Sequence, residues 1–392
     1  MRGEPGESET CREERIGSTR VRKNKGESTT GRKESRAMPR IDIKSMNLEE
    51  LTAYVEAMGE KKFRARQLYE WIHRRQAADW DEMSNLSRDL RGRLMRETDL
   101  TVLQEADCQI SRLDGTRKYL FALSDGNMVE SVLMPYHHGN SVCISSQVGC
   151  RMGCRFCAST IDGWLRNLTP AEMLDQIYRI QRDSKERVSN LVLMGTGEPL
   201  DNFDNVVKLI GLVSDENGLN ISQRNITVST CGIVPRIREL ADLNLSITLA
   251  ISLHASSQET RRKLMPIAER YDLKEILDAC RYYFSRTGRR LTFEYALVAG
   301  VNDSREDAAR LAGLLGDLNC HVNLIPVNPI KERNFHQSDR RALLAFRTQL
   351  EKYGVNVTIR REMGRDIDGA CGQLRRRKMH EGDQSPNIRF FS

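Results

Sequence analysis

Aromatic side chains are scarce in this 392-residue chain, at 6%, and no stretch approaches the ~18 consecutive apolar residues of a membrane-crossing helix. A membrane protein is therefore not expected. The first residues also lack the apolar core of a secretory signal, so a cytoplasmic location is expected. No single charge dominates: 61 Lys and Arg stand against 54 Asp and Glu, a net charge of +7. That balance permits an anionic partner such as RNA without requiring one. What the chain does contain is 39% hydrophobic residues in periodic segments, enough to build a core and two or three domains. Wholesale disorder is excluded on that ground. Ten cysteines are also present. In a reducing compartment they do not read as a disulfide framework, and any that cluster point to metal binding or catalysis.

Five regions follow from the patterning. Residues 1–40 read as a disordered basic extension, since the first 37 carry ten Lys/Arg, seven Asp/Glu and almost nothing apolar. Two readings of it stay open: translation beginning at Met38, or a basic arm that searches RNA. Residues 41–103 read as a small helical domain. Leu48, Leu51, Tyr54, Val55 and Met58 form one apolar stripe, closed by Gly59. The basic turn with Lys61, Lys62, Arg64 and Arg66 is either a phosphate contact or a solvated face. Residues 104–138 read as an antiparallel extension, with hairpin turns at Asp114-Gly115 and Asp125-Gly126. From 139 to 374 strands and helices alternate. The candidate strands are SVCISS, NLVLMG, NITVST, SITLAIS, LTFEYAL and CHVNLIP. The best-marked helix is TPAEMLDQIYRIQRD, with Thr169 as N-cap, Pro170 at its first position and Glu172 closing a capping box. Six such units imply a parallel sheet curled into a full or partial barrel, with its chemistry at the C-terminal strand ends. Residues 375–392 read as a flexible tail.

The strongest chemical signal is CRMGCRFC. Cys150, Cys154 and Cys157 follow the first barrel strand, spaced four and three apart. Three thiolates in one short loop can converge on an iron–sulfur cluster, which would leave one iron open for another ligand. A zinc site with Cys143, His137 or His138 as fourth ligand is the alternative, although zinc knuckles favour two-residue spacings. Later strands end in small polar groups: MGTGEPL with Gly197 and Glu198, STCG with Ser229, SLH with Ser252, Leu253 and His254, and Asn328-Pro329.

In this order and spacing the motifs resemble the radical S-adenosylmethionine (SAM) superfamily. The strings FRARQLYEWIH, SSQVGCRMGCRFCAST, MGTGEPL, SLHA, NLIPVNP and DIDGACGQLR further resemble the RlmN/Cfr family of radical SAM RNA adenosine methyltransferases, RlmN more than Cfr. The resemblance implies an α/β fold: a radical SAM partial (β/α)6 TIM-type barrel with a small N-terminal helical domain and an antiparallel strand extension. It implies a 4Fe-4S cluster on Cys150, Cys154 and Cys157, and SAM, two per turnover, held by Gly197, Glu198, Ser229, Ser252, Leu253, His254 and Asn328. Its substrates would be adenosines in 23S rRNA, at the peptidyl transferase centre, and in tRNA, 3′ of the anticodon. The electron would come from a donor such as flavodoxin or ferredoxin, and the protein would act as a monomer.

Carbon 2 of adenine bears only hydrogen and has no lone pair, so it cannot attack an ordinary SAM methyl group. The family's route, carried to this sequence, makes Cys371 the S-methylated intermediate. Cys143 then removes the proton and resolves the adduct through a transient disulfide with Cys371, and Glu130 serves as an active-site acid or base. From the residues alone, Glu130 interrupts an apolar strand and demands a polar cavity, unless it lies on a solvated face. Cys108, Cys231, Cys280 and Cys320 read as small buried hydrophobes. Small departures from the family pattern are Thr196, Cys231, Gly369 and Ala370. Methylation at carbon 8, as in Cfr, and a non-catalytic zinc RNA-binding protein remain as alternatives.

Overall fold

The structure is a computed structural model that describes residues 40–328, 333–367 and 372–383, with no account of the side chains of 379–383. The extension expected over most of 1–40, the final nine residues and Cys371 itself lie outside the described residues.

The N-terminal segment is helical as its periodicity requires. A short strand β1 (Ile41–Asp42) leads into α1 (Leu48–Ala57), α2 (Phe63–Tyr69) and α3 (Arg88–Glu97), and β2 (Thr98–Asp99) returns to pair with β1. Asn47 caps α1 through a capping box with Glu50, and Ser87 caps α3. Leu51 and Val55 of the expected stripe are buried, with Leu48, Tyr54 and Met58 packed against the same core. One feature the periodicity conceals is a π-helical turn over 70–74, which continues α2 and turns His73 into the interior. This segment is joined to the rest by buried polar contacts: Lys44 Nζ meets Asp175, His73 Nδ1 lies 2.8 Å from Tyr178 Oη, and Tyr69 Oη donates to Asp215 at 3.0 Å.

The antiparallel strands β3 (Gln104–Ile110), β4 (Arg117–Ala122) and β5 (Met128–Met134) turn at the two Asp-Gly pairs, with Gly115 and Gly126 at positive φ. They are not a separate layer. β5 pairs antiparallel with β6 (Asn140–Cys143), the first strand of the barrel, so extension and barrel share one ten-stranded sheet. A small hairpin, β7 (Gln147–Gly149) with β8 (Trp164–Asn167), brackets the cysteine loop.

Strands and helices then alternate. α4 (Pro170–Ser184) carries the expected cap, Thr169 and Glu172 bonding reciprocally and Pro170 at the first helical position. There follow β9 (Val188–Leu193), α5 (Phe203–Ser214), β10 (Ile226–Thr230), α6 (Val234–Asp242), β11 (Thr248–Ser252), α7 (Gln258–Leu264) and α8 (Leu273–Thr287). The series continues with β12 (Leu291–Leu297), α9 (Arg305–Leu315), β13 (Cys320–Pro326), α10 (Arg340–Lys352) and β14 (Val357–Ile359), and α11 (Gln373–Asp383) ends it. The sheet order is β14-β13-β12-β11-β10-β9-β6-β5-β4-β3, parallel from β6 to β14. β14 is a seventh parallel strand beyond the six expected. The seven parallel strands β6 and β9 to β14 run the same way, so their C-terminal ends gather on one face, and the motifs lie there. No helix among the described residues is long and apolar enough to cross a membrane.

Candidate active site

The cysteine loop is shaped by its glycines. Gly149, at φ +76°, has room for no side chain: a Cβ would stand 2.0 Å from the Gly163 carbonyl oxygen. That close approach lets the Cys150 N–H donate to Gly163 O at 2.8 Å and closes the loop at its base. Inside the loop, Thr160 Oγ1 donates to the carbonyls of Cys154 and Cys157, both at 3.0 Å. From outside, the Arg155 N–H donates to Leu264 O at 2.9 Å, which ties the loop to α7.

Cys150, Cys154 and Cys157 line one cavity of about 270 Å³ at the C-terminal strand ends. The thiol of Cys150 is pushed up to about 12 and that of Cys154 well above the ordinary range, chiefly by burial, with the neighbouring sulfurs and Glu198 adding. Cys150 is buried and Cys154 and Cys157 are half-buried, and sulfurs so placed, whose charges oppose one another, fit a cationic group that would neutralise them as thiolates. Among the described residues no three Cys, His, Asp or Glu groups converge on a single metal ion. An iron–sulfur cluster instead gives each thiolate its own iron, so the sulfurs need not meet. Three thiolates of one loop on one cavity fit such a cluster. Cys143, one of the three residues suggested as a fourth zinc ligand, lines a different cavity.

The remaining motif residues surround the same space. Gly197 (φ +115°) lies so close to the preceding strand that a Cβ would come within 2.7 Å of Ser146 Oγ and Gln147 Cβ. Glu198 is buried, with Oε1 accepting from Leu200 N at 3.0 Å and Oε2 from Cys231 N at 2.8 Å. Burial raises its pKa, and these backbone donors oppose the rise. Ser229 and Ser252, on adjacent strands β10 and β11, bring their hydroxyl oxygens within 3.4 Å. His254 takes the left-handed conformation at φ +56°, and its Nδ1 accepts from Ala296 N at 2.9 Å. Its pKa is pushed down to about 3, by burial first and the charge of Arg261 second, so the ring is neutral with its proton on Nε2. Asn328 lines the rim. Leu253 differs: its side chain is fully buried in the core, and its N–H donates to Glu294 O at 3.1 Å.

A second cavity, of about 400 Å³, adjoins the first, and both are lined by Ile325, Pro326, Asn328, Arg360 and Gln373. Cys143 lines this second chamber. Glu130 lines neither. It is 4% exposed, which removes the solvated-face reading. Its carboxylate pairs with Lys118 Nζ at 3.0 Å and accepts from the backbone N–H groups of Gly372 and Arg375 at 2.6 and 2.7 Å. Gly372, the residue after Cys371, packs against Ala158 and Ser159 of the cysteine loop, with a Cβ there only 3.0 Å from Ala158 Cβ.

Two residues were missed as site residues. Glu294, buried on β12 and lining the cluster cavity, is raised in pKa by burial, and Asn323 Nδ2 donates to it at 2.9 Å. An acid interrupting the apolar run LTFEYAL is the same signal that marked Glu130. Arg360, just past β14, lines both chambers. Cys280 and Cys320 are buried as expected, Cys108 is half-buried, and Cys231 is buried against the cluster cavity.

The chain is similar to known families, proteins and solved structures. The model of the radical SAM superfamily matches residues 144–312, and that of the ribosomal RNA large subunit methyltransferase N-terminal domain matches residues 41–100. The chain is 63% identical over 344 residues to a probable dual-specificity RNA methyltransferase RlmN of Lachnospira eligens, spanning 88% of this chain and 98% of that protein. It is 53% identical to the corresponding protein of Clostridium novyi, covering 86% and 98%. Among solved structures, a radical SAM methyltransferase from Sphaerobacter thermophilus superposes with a TM-score of 0.82 at 41% identity, over 85% of this chain and 98% of that one.

Proposed function

The chain belongs to the RlmN family of radical SAM RNA methyltransferases, and from that premise we propose that it methylates carbon 2 of adenosine. The substrates in this reading are 23S rRNA, at the peptidyl transferase centre, and tRNA, at the adenosine 3′ of the anticodon. The protein is a radical SAM enzyme, and a 4Fe-4S cluster and SAM are its cofactors. Cys150, Cys154 and Cys157 hold the cluster, and Gly197, Glu198, Ser229, Ser252, His254 and Asn328, with the Leu253 backbone, surround SAM. When bound, the cluster supplies the electron that cleaves SAM to a 5′-deoxyadenosyl radical.

The protein's own part is to carry and deliver the methyl carbon. Cys371 accepts a methyl group on sulfur, and that carbon, after losing a hydrogen atom, adds to carbon 2 of the adenine. Cys143 takes the carbon 2 proton while the adduct radical gives one electron back to the redox chain that supplied it. The Cys143 thiolate then attacks the Cys371 sulfur, the sulfur–methylene bond breaks, and the freed carbon takes a proton to become the methyl group. Supporting this reading is one relationship above the others: Glu130 holds the N–H of Gly372, next to Cys371, where that glycine packs on the cluster loop. Two RNAs so different in sequence are best recognised by shape and an unstacked base. The basic turn at Lys61–Arg66 is suited to phosphate contact.

In an anaerobic reconstituted reaction, Cys143→Ala is expected to accumulate a covalent protein–RNA adduct, and Cys371→Ala to give neither adduct nor product. Nucleotide-resolved mass spectrometry of rRNA from a host lacking its own enzyme should find the methyl on carbon 2. A methyl on carbon 8 would overturn the carbon 2 assignment and make the protein Cfr-like.

A further inference from the structure

Arg261, on α7, is a cation sealed in the protein interior. Its exposure is zero, and among the described residues it has no carboxylate partner. Its guanidinium makes one strong contact, Nη2 donating to Cys231 O at 2.6 Å, and one long one, Nη1 to Tyr271 O at 3.4 Å. Nε is buried with no hydrogen-bond partner. An unpaired buried charge costs several kcal/mol, and carbonyl contacts offset only part of it. The position of α7 sets what that charge faces. α7 underlies the cysteine loop, because Leu264 O receives the Arg155 N–H. Leu264, Met265, Cys231, Cys150 and Met152 form one buried cluster with Cys154 packed on it. Cys231, whose carbonyl holds the guanidinium, lines the same cavity as Cys150, Cys154 and Cys157.

We propose that Arg261 is a positioning residue for the iron–sulfur cluster, the buried counter-charge that holds its reduction potential up. A four-iron core on three thiolates carries one negative charge when oxidised and two when reduced. A fixed cation in a low-dielectric site favours the more negative state, so electron uptake becomes easier. No acid or water has to reorganise as the electron arrives, because the guanidinium stays protonated throughout. The inference rests on the cluster being held by Cys150, Cys154 and Cys157. It does not depend on which carbon of which RNA is methylated.

The test is a redox titration of anaerobically purified holoprotein, followed by the EPR signal of the reduced cluster, with iron and sulfide measured alongside. No RNA is present, so failure of the methylation reading cannot be mistaken for failure here. Arg261→Lys keeps the charge, whereas Arg261→Gln and Arg261→Met remove it at similar volume. The lysine variant is expected to titrate close to wild type. The neutral variants should show at least a tenfold lower reduced-to-oxidised ratio at a given potential, which is about 59 mV for one electron. Neutral variants that fail to load iron while the lysine variant loads it would also support the counter-charge. Full iron with an unshifted midpoint in either neutral variant would overturn the proposal. So would loss of iron from the lysine variant along with the others, which would make Arg261 a packing residue.

Discussion

Glu130 Oε2 accepts the Gly372 N–H at 2.6 Å across 242 residues of chain, and Oε1 accepts the Arg375 N–H at 2.7 Å. The carboxylate therefore caps the first turn of α11, where free N–H groups and the helix dipole favour negative charge. On its other side stands the fully buried Lys118 ammonium, 3.0 Å away. Glu130→Ala takes the carboxylate from that ammonium and is expected to cost roughly 3–5 kcal/mol. Adding Lys118→Met should recover part of this stability in urea denaturation, the unpaired N–H groups of Gly372 and Arg375 accounting for the rest. Methyl transfer should stay depressed in both, by about 100-fold, because neither variant holds the 372–375 backbone. Recovery of activity together with stability would reduce Glu130 to a structural ion pair.

Gly197 is a second position where one atom decides the outcome. At φ +115°, with Ser146 Oγ and Gln147 backbone and Cβ inside 2.8 Å of a new Cβ, Gly197→Ala forces the MGTGEPL turn away from the preceding strand. A loss of about 2–3 kcal/mol is expected, from left-handed strain and overpacking together. Gly211, on the α5 helix with open space around it, is the control. Gly211→Ala should leave denaturation unchanged or slightly improved. Isothermal titration should show weakened SAM binding for the first variant alone.

The parts that could be read from sequence are those governed by near neighbours. Thr169 and Glu172 bond to each other three residues apart, so the start of α4 is written locally. LTFEYAL and CHVNLIP are apolar enough to be strands wherever they lie, and both were found at their observed ends. β14 was not legible, because Val357–Ile359 is a strand only by pairing with β13. The π-helical turn over 70–74 has the composition of ordinary helix, and His73 is turned inward by Tyr178, 105 residues away. The site divides the same way. Cys150, Cys154 and Cys157 announce themselves by spacing. The burial of Arg261, the two-chamber position of Arg360 and the Glu130–Gly372 contact come from tertiary packing, which no local pattern encodes.

Each of the three loop cysteines is expected to be indispensable for iron. Cys150→Ala, Cys154→Ala and Cys157→Ala should each purify with far less iron and sulfide than wild type, and without the visible charge-transfer absorption of a cluster. Cys231→Ala tests whether lining the cavity is enough to matter. Its thiol is pushed far above the ordinary range by burial, with Glu198 beside it, so it stays a neutral thiol. Full iron is expected in that variant. Loss of the cluster from Cys231→Ala would add it to the ligand set.

His73 sets a pH limit on stability. It is wholly buried, and its pKa is pushed down to about 3, mainly by burial and further by the charge of Lys44. In the unfolded chain the same ring titrates near 6.5, so between about 6.5 and 3 the unfolded state binds one more proton than the folded state. Stability from this group is full above 6.5 and falls as pH drops, by about 1.4 kcal/mol per unit once the unfolded ring is protonated. His73→Phe removes the proton site. Its loss of the Tyr178 hydrogen bond is the same at every pH and cancels in the comparison. Between pH 7.5 and 5.5, wild type should therefore lose roughly 1.4 kcal/mol more than the variant in urea denaturation. Equal losses would mean that the folded protein protonates His73 and that the Tyr178 contact survives with a charged ring.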